Sequence, residues 1–152
     1  MGYLKETLSE KELFQLTYDK GKSQDSVQVL KSSLANFEYF TKDQLDKTRL
    51  QVLDDLSEQY EKNRDTKAPI VLLNQFKEWI GKPHPNILIT VGNGGKLALK
   101  AKSGRAQKSY LSNVKKWLRI CGRIKIDIDD YKDFVSIPHS EMEARSSYKK
   151  LV

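Results

Sequence analysis

Histidine, cysteine and proline are scarce in this chain: two, one and four in 152 residues. The single cysteine, Cys121, excludes an internal disulfide and a cysteine zinc cluster. His84 and His139 have no Cys, Asp or Glu at metal-ligand spacing, so neither points to a metal. His84 sits between prolines and is expected in an exposed loop, and His139 in an exposed tail. No run approaches the roughly 18 apolar residues of a membrane span. The start, "MGYLKETLSEKELF", lacks the apolar core of a signal peptide. There is no G-x-S-x-G elbow, P-loop or dinucleotide fingerprint. The Asp54–Asp55 pair and the Asp127, Asp129, Asp130 group are of the kind common on helix surfaces and caps, where nothing raises a carboxyl pKa. The residues therefore suggest no catalytic group, no metal, no cofactor and no small-molecule substrate. Cys121 falls on an inward helical position and is expected to be a buried, inert thiol.

The last absence concerns charge of one sign. After Glu78 the next acid is Asp127. Between them stand Lys82, Lys96, Lys100, Lys102, Arg105, Lys108, Lys115, Lys116, Arg119, Arg123 and Lys125. This segment carries +11 against a whole-chain net charge of +7, which leaves −4 for the rest. Solvated helix faces usually mix signs, whereas a one-sign segment suits a polyanion.

Apolar periodicity at three and four residues predicts a mainly α protein, a small bundle of four to five helices. A first helix is expected from the capping-box spacing at Ser9–Glu12, with Leu13, Phe14 and Leu16 inward and a break at Gly21. A second spans about 24–41, with Val27, Leu30, Leu34 and Phe37 in one stripe. A third spans about 47–63, on Leu50, Leu53, Leu56 and Tyr60, and a fourth about 68–80, stopped by Gly81, Pro83 and Pro85. In 86–100, alternating Ile87, Ile89, Val91 and Leu97, Leu99 flank "GNGG". That is the chemistry of a short β-hairpin near 87–99, the alternative being an irregular loop with apolar anchors. The last long helix starts at Ser103 and ends at Gly122. Tyr110, Leu111, Val114, Trp117, Leu118 and Cys121 form its core stripe. Asp127 is expected to cap a short acidic turn of helix, and 135–152 has no apolar period and is expected to be an exposed linker or tail. The organisation is thus an N-terminal helix or arm over 1–22, a helical domain over 23–134 and a linker over 135–152.

The candidate site is a basic, hydroxyl and amide surface. It comprises Lys100, Lys102, Arg105, Lys108, Ser109, Ser112, Asn113, Lys115, Lys116, Arg119 and Arg123. Lys22, Ser23 and Lys31 join it from the second helix, whose start also carries Lys20, Ser26, Ser32 and Ser33. Lysine and arginine neutralise phosphates, and serine and asparagine reach phosphate oxygens or base edges. Double-stranded DNA is the expected partner. A helical adaptor for an acidic protein and an RNA-binding module are the alternatives.

"SQDSVQVLKSSLANFEYF", "APIVLLNQFKEWI" and "QKSYLSNVKKWLRICG", in that order, resemble the core-binding domain of tyrosine recombinases of the phage-integrase type. The tail "DFVSIPHSEMEARSSYKKLV" is similar to the linker into their catalytic domain, most like archaeal members. The resemblance covers roughly 23–152, and "VGNGGKLALKAK" departs from the common pattern. It implies a small helical bundle of SAM-like core-binding type that clamps one side of the DNA, with the helices starting near Ser23 and Ser103 crossing at the major groove. It also implies other recombinase protomers as partners, and a cytoplasmic, nucleoid-associated location. The family's chemistry needs two arginines, a His-x-x-Arg box and a tyrosine nucleophile. Ile87 stands three residues after His84 and Met142 three after His139, and Tyr148 falls in the linker. The expectation is a DNA-binding part of a recombinase, with strand cleavage and rejoining in a separate domain.

Overall fold

A computed structural model of the chain describes residues 7–126 and 131. Five helices and one two-stranded antiparallel sheet follow in the order α1 (Leu8–Gly21), α2 (Gln24–Leu45), α3 (Arg49–Asn63), α4 (Lys67–Ile80), β1 (His84–Thr90), β2 (Lys96–Leu99) and α5 (Gly104–Cys121). The helical bundle and the hairpin expected from the sequence are both present. The linker 135–152, His139 and the cap at Asp127 lie outside the described residues.

The helix ends follow local chemistry, with corrections. Two overlapping capping boxes are written in the α1 region, Thr7–Glu10 and Ser9–Glu12. The first is used: the Thr7 hydroxyl accepts from the Glu10 N–H at 3.2 Å and Glu10 accepts from the Thr7 N–H at 3.1 Å. Its Glu10 is also buried in the core (below). Leu16, expected inward, is 56% exposed, while Leu13 and Phe14 are buried. α1 ends at Gly21, but the left-handed residue after it is Lys22, whose N–H bonds the Tyr18 carbonyl.

α2 runs to Leu45, beyond the expected end near Thr41, and α3 starts at Arg49 behind a Thr48–Gln51 capping box. α4 has Pro69 in its first turn, where a missing N–H costs nothing. The Asp65 carboxylate accepts from the Lys67 and Ala68 N–H groups there. α5 begins at Ser103, whose hydroxyl takes the Ala106 N–H at 3.2 Å. It stops at Gly122, where packing requires glycine. A Cβ on Gly122 would lie 2.7 Å from both the Leu118 carbonyl oxygen and Leu53 Cδ1.

The core is aromatic at its centre. Phe37 meets Phe76 edge-on at 5.1 Å and Trp117 at 5.6 Å, and Phe40 meets Phe76 at 5.4 Å and Trp79 at 5.7 Å. Thus α2, α4 and α5 share one seam, and Leu13 and Phe14 bring α1 into the same core. Of the stripe expected on α5, Leu111, Val114, Trp117 and Leu118 are fully buried, while Tyr110 and Cys121 are half-buried. Burial pushes the Cys121 thiol up to about 11, helped by the Glu10 and Glu12 carboxylates against the opposing Arg49.

A charged cluster is buried beside this seam. Arg49, 1% exposed, donates from Nε to Glu10 Oε2 at 2.9 Å and from one terminal nitrogen to Glu10 Oε1 at 2.7 Å. Its other terminal nitrogen donates to Glu38 Oε1 at 3.1 Å, and its backbone N–H to Glu38 Oε2 at 3.0 Å. Trp117 Nε1 donates to Glu10 Oε2 at 2.7 Å. One arginine therefore ties α1, α2 and α3 together, and its main partner carboxylate fixes the central tryptophan of α5.

The hairpin corrects the expectation for His84. It is the first residue of β1 and is half-buried, stacked on Trp79 with centroids 3.9 Å apart. Trp79 in turn donates to Asp43 at 2.9 Å. The register pairs Leu88 with Ala98, Ile89 with Leu97 and Thr90 with Lys96. It is irregular between His84 and Leu88, where Pro85 cannot donate to the ladder.

Candidate nucleic-acid interface

The 3.6-residue period that buries Leu111, Val114 and Leu118 places Arg105, Ser109, Ser112, Lys116 and Arg119 on the opposite side of α5, with Lys108 beside them. Arg105, Lys108, Ser109, Ser112 and Arg119 are exposed and Lys116 is half-exposed. From Arg105 to Arg119 this stripe extends about 21 Å at 1.5 Å per residue. Cations stand at its ends, and the small Ser109 and Ser112 occupy its middle, where a partner can approach the helix axis most closely.

This stripe borders a groove of roughly 820 Å3 between the end of α1, the start of α2 and α5. From α5 the groove receives Lys108, Ser109, Ser112, Asn113 and Lys116, and from the other helices Lys20, Ser26 and Val29. Its one lining carboxylate is Asp25, against three lysines. Lys20 reaches the groove because α1 packs across α2 and α5, a placement that the spacing of charges along the chain does not reveal.

Other sequence candidates are held by the fold. Asn113 Nδ2 donates to Ser33 Oγ at 3.0 Å, and Ser33 Oγ donates to the Val29 carbonyl at 2.7 Å. Ser33 is fully buried, so this pair joins α2 to α5. Ser23 caps α2 by accepting from the Asp25 N–H. Lys31 lies over the Phe14 ring at 5.2 Å, Lys102 over the Tyr110 ring at 6.0 Å and Lys115 over the Tyr131 ring at 4.2 Å. Ser32 and the Tyr110 hydroxyl are 3.4 Å apart. Lys22 and Arg123 are exposed residues with left-handed backbone, each just past a helix end. Lys100 and Lys102 lie between the hairpin and α5, outside the groove.

The start of α5 opposes its own dipole. A helix N-terminus carries partial positive charge, favours acids and disfavours bases by about 0.3–1 kcal/mol each. The first turn of α5 has no acid and contains Arg105. Lys100 and Lys102 precede it.

No helix among the described residues is long and apolar enough to cross a membrane, and no cluster of three or more metal-ligating side chains occurs among them. Comparison with protein-family models, with curated proteins and with solved structures finds no match.

Proposed function

We propose that this chain is a duplex-DNA-binding helical module that sets the outer face of α5 in the major groove. The observation that carries the reading is the single-sign face of α5: Arg105, Lys108, Lys116 and Arg119 flank two serines along one helix side, with Lys20 beside them across the groove. An α-helix is about 10–12 Å across and the major groove about 12 Å wide, so such a face fits it. The cations neutralise phosphates on the groove walls, and Ser109 and Ser112 face the floor. Together with the sequence resemblance, this favours the core-binding part of a tyrosine recombinase of the archaeal, phage-integrase type. In that role the module clamps the duplex next to other protomers in the nucleoid, and cleavage belongs to a separate catalytic domain.

The test is binding to a mixed-sequence duplex, a single strand and heparin across a salt series. Five phosphate contacts, from Lys20, Arg105, Lys108, Lys116 and Arg119, give a log–log slope of about −4.5. The duplex is expected to be preferred. Replacing Lys116 and Arg119 by alanine should flatten the slope by about 1.8 and leave the helical circular dichroism unchanged. A flat salt response refutes the proposal. Equal binding to heparin leaves an adaptor for acidic proteins, and single-strand preference leaves an RNA module.

A further inference from the structure

Four features of the β1–β2 hairpin have no role inside the fold. First, it is anchored on one side only. Leu99 is buried, and Ile87 and Ile89 pack against the core, whereas Leu88, on the opposite face with Lys96, is 56% exposed; Leu97, paired with Ile89 on the anchored face, is 51% exposed. Second, its tip is bare but ordered by its own bonds. The Val91 N–H donates to the Gly95 carbonyl at 2.9 Å and the Gly94 N–H to the Val91 carbonyl at 2.9 Å. The Gly95 N–H donates to Asn93 Oδ1 at 3.0 Å. Third, Gly94 is glycine because its φ is +84°, but Gly92 has no positive φ and no atom within 4 Å of where its Cβ would stand. The chain itself gives no reason for a missing side chain there. Fourth, Lys96 and Lys100 are exposed, and no carboxylate among the described residues pairs with either.

We infer that the hairpin is a second DNA-contacting element, a basic ribbon that tracks the duplex backbone beside the groove occupied by α5. This rests on the DNA-binding reading proposed above and extends it to a different surface. Charge complementarity selects the occupant. The ribbon lies within the acid-free stretch between Glu78 and Asp127, so Lys96 and Lys100 have no acid near them along the chain. Geometry supplies the reach. The ribbon leads into α5 through Lys100–Ser103, and the Lys102 N–H is fixed to the Ile80 carbonyl at 2.8 Å. Seven residues of β1 at about 3.3 Å each span roughly 20 Å; the part up to Ile89 packs on the core, and the turn at Gly92–Gly94 stands in open space. At Gly92 the bare backbone can approach the sugar–phosphate chain closely. Leu88, on the same face as Lys96, supplies apolar contact with the sugar edges.

The experiment uses the full chain and one mixed-sequence duplex, with hydroxyl-radical footprinting and a salt series. With Lys96 and Lys100 added to the five cations of the α5 groove, the wild-type slope becomes about −6.3. K96A/K100A should return it to about −4.5, so the wild type loses about twelvefold more affinity than this variant between 50 and 200 mM salt. Its footprint should lose protection on one flank and keep the protection given by α5. Gly92→Glu is the second variant. It stands in open space, leaves the fold intact and should weaken binding about tenfold at low salt by placing a carboxylate against the phosphates. Duplex binding with the same slope and footprint in both variants overturns the hairpin contact alone. Failure of the wild type to bind the duplex overturns it together with the reading on which it rests.

Discussion

Replacing Arg49 by methionine tests whether the buried charges hold the bundle together. The change keeps most of the side-chain volume and removes side-chain hydrogen bonds that include two to Glu10 and one to Glu38. Breaking a buried pair by removing one partner costs about 3–5 kcal/mol, because a desolvated charge remains. Here both carboxylates keep some donors. Glu10 retains Trp117 Nε1 at 2.7 Å and the Thr7 N–H, and Glu38 retains the backbone N–H of residue 49. These remaining bonds place the loss at the lower end, about 3 kcal/mol, a large share of the roughly 5–15 kcal/mol that stabilises a domain. Urea unfolding followed by circular dichroism should show a lower midpoint at unchanged slope, and Tm should fall by about 6–12 °C. Arg49→Lys keeps the charge but not the planar fork and should recover part of the loss. The loss should also persist in high salt, since a 1% exposed group is screened little. A loss below about 1 kcal/mol, or Arg49→Lys no better than Arg49→Met, refutes the electrostatic account and leaves packing alone.

Gly122→Ala should destabilise by about 1–3 kcal/mol, read by the same urea assay, because its Cβ would press on Leu118 and Leu53 from 2.7 Å. The Cys121 thiol should alkylate slowly at neutral pH and accelerate only toward about 11, which a rate–pH profile with iodoacetamide measures. Its linkage has a definite sign. The unfolded thiol releases its proton near 9.0 and the folded one near 11, so the unfolded state binds fewer protons between these values and stability falls as pH rises through that window. Cys121→Ser should remove that part of the alkaline loss. Tyr39, raised by burial and then by Glu38, adds a loss of the same sign that begins above 10.0 and remains in that variant.

Sequence periodicity determined the helices and one face of the candidate site. The positions of Leu111, Val114, Trp117 and Leu118 dictate where Arg105, Ser109, Ser112, Lys116 and Arg119 must point, because a helix has only one period. The hairpin was legible for the same reason, since alternation around "GNGG" is local chemistry. What needed the tertiary structure was each choice between equivalent local signals and each contact across elements. Thr7–Glu10 and Ser9–Glu12 are equal as capping boxes in the sequence, and the structure uses the first, whose Glu10 also meets the buried guanidinium of Arg49. Asn113 has the composition of a base-reading residue, yet its amide is taken by Ser33, eighty positions away. His84 looks like a loop histidine between prolines until Trp79 is placed against it. Lys20 joins the groove only because α1 lies across α2 and α5. Local patterns fix what a residue can do on its own element. Which partner it meets depends on how the elements cross, and that is set by the shared aromatic core.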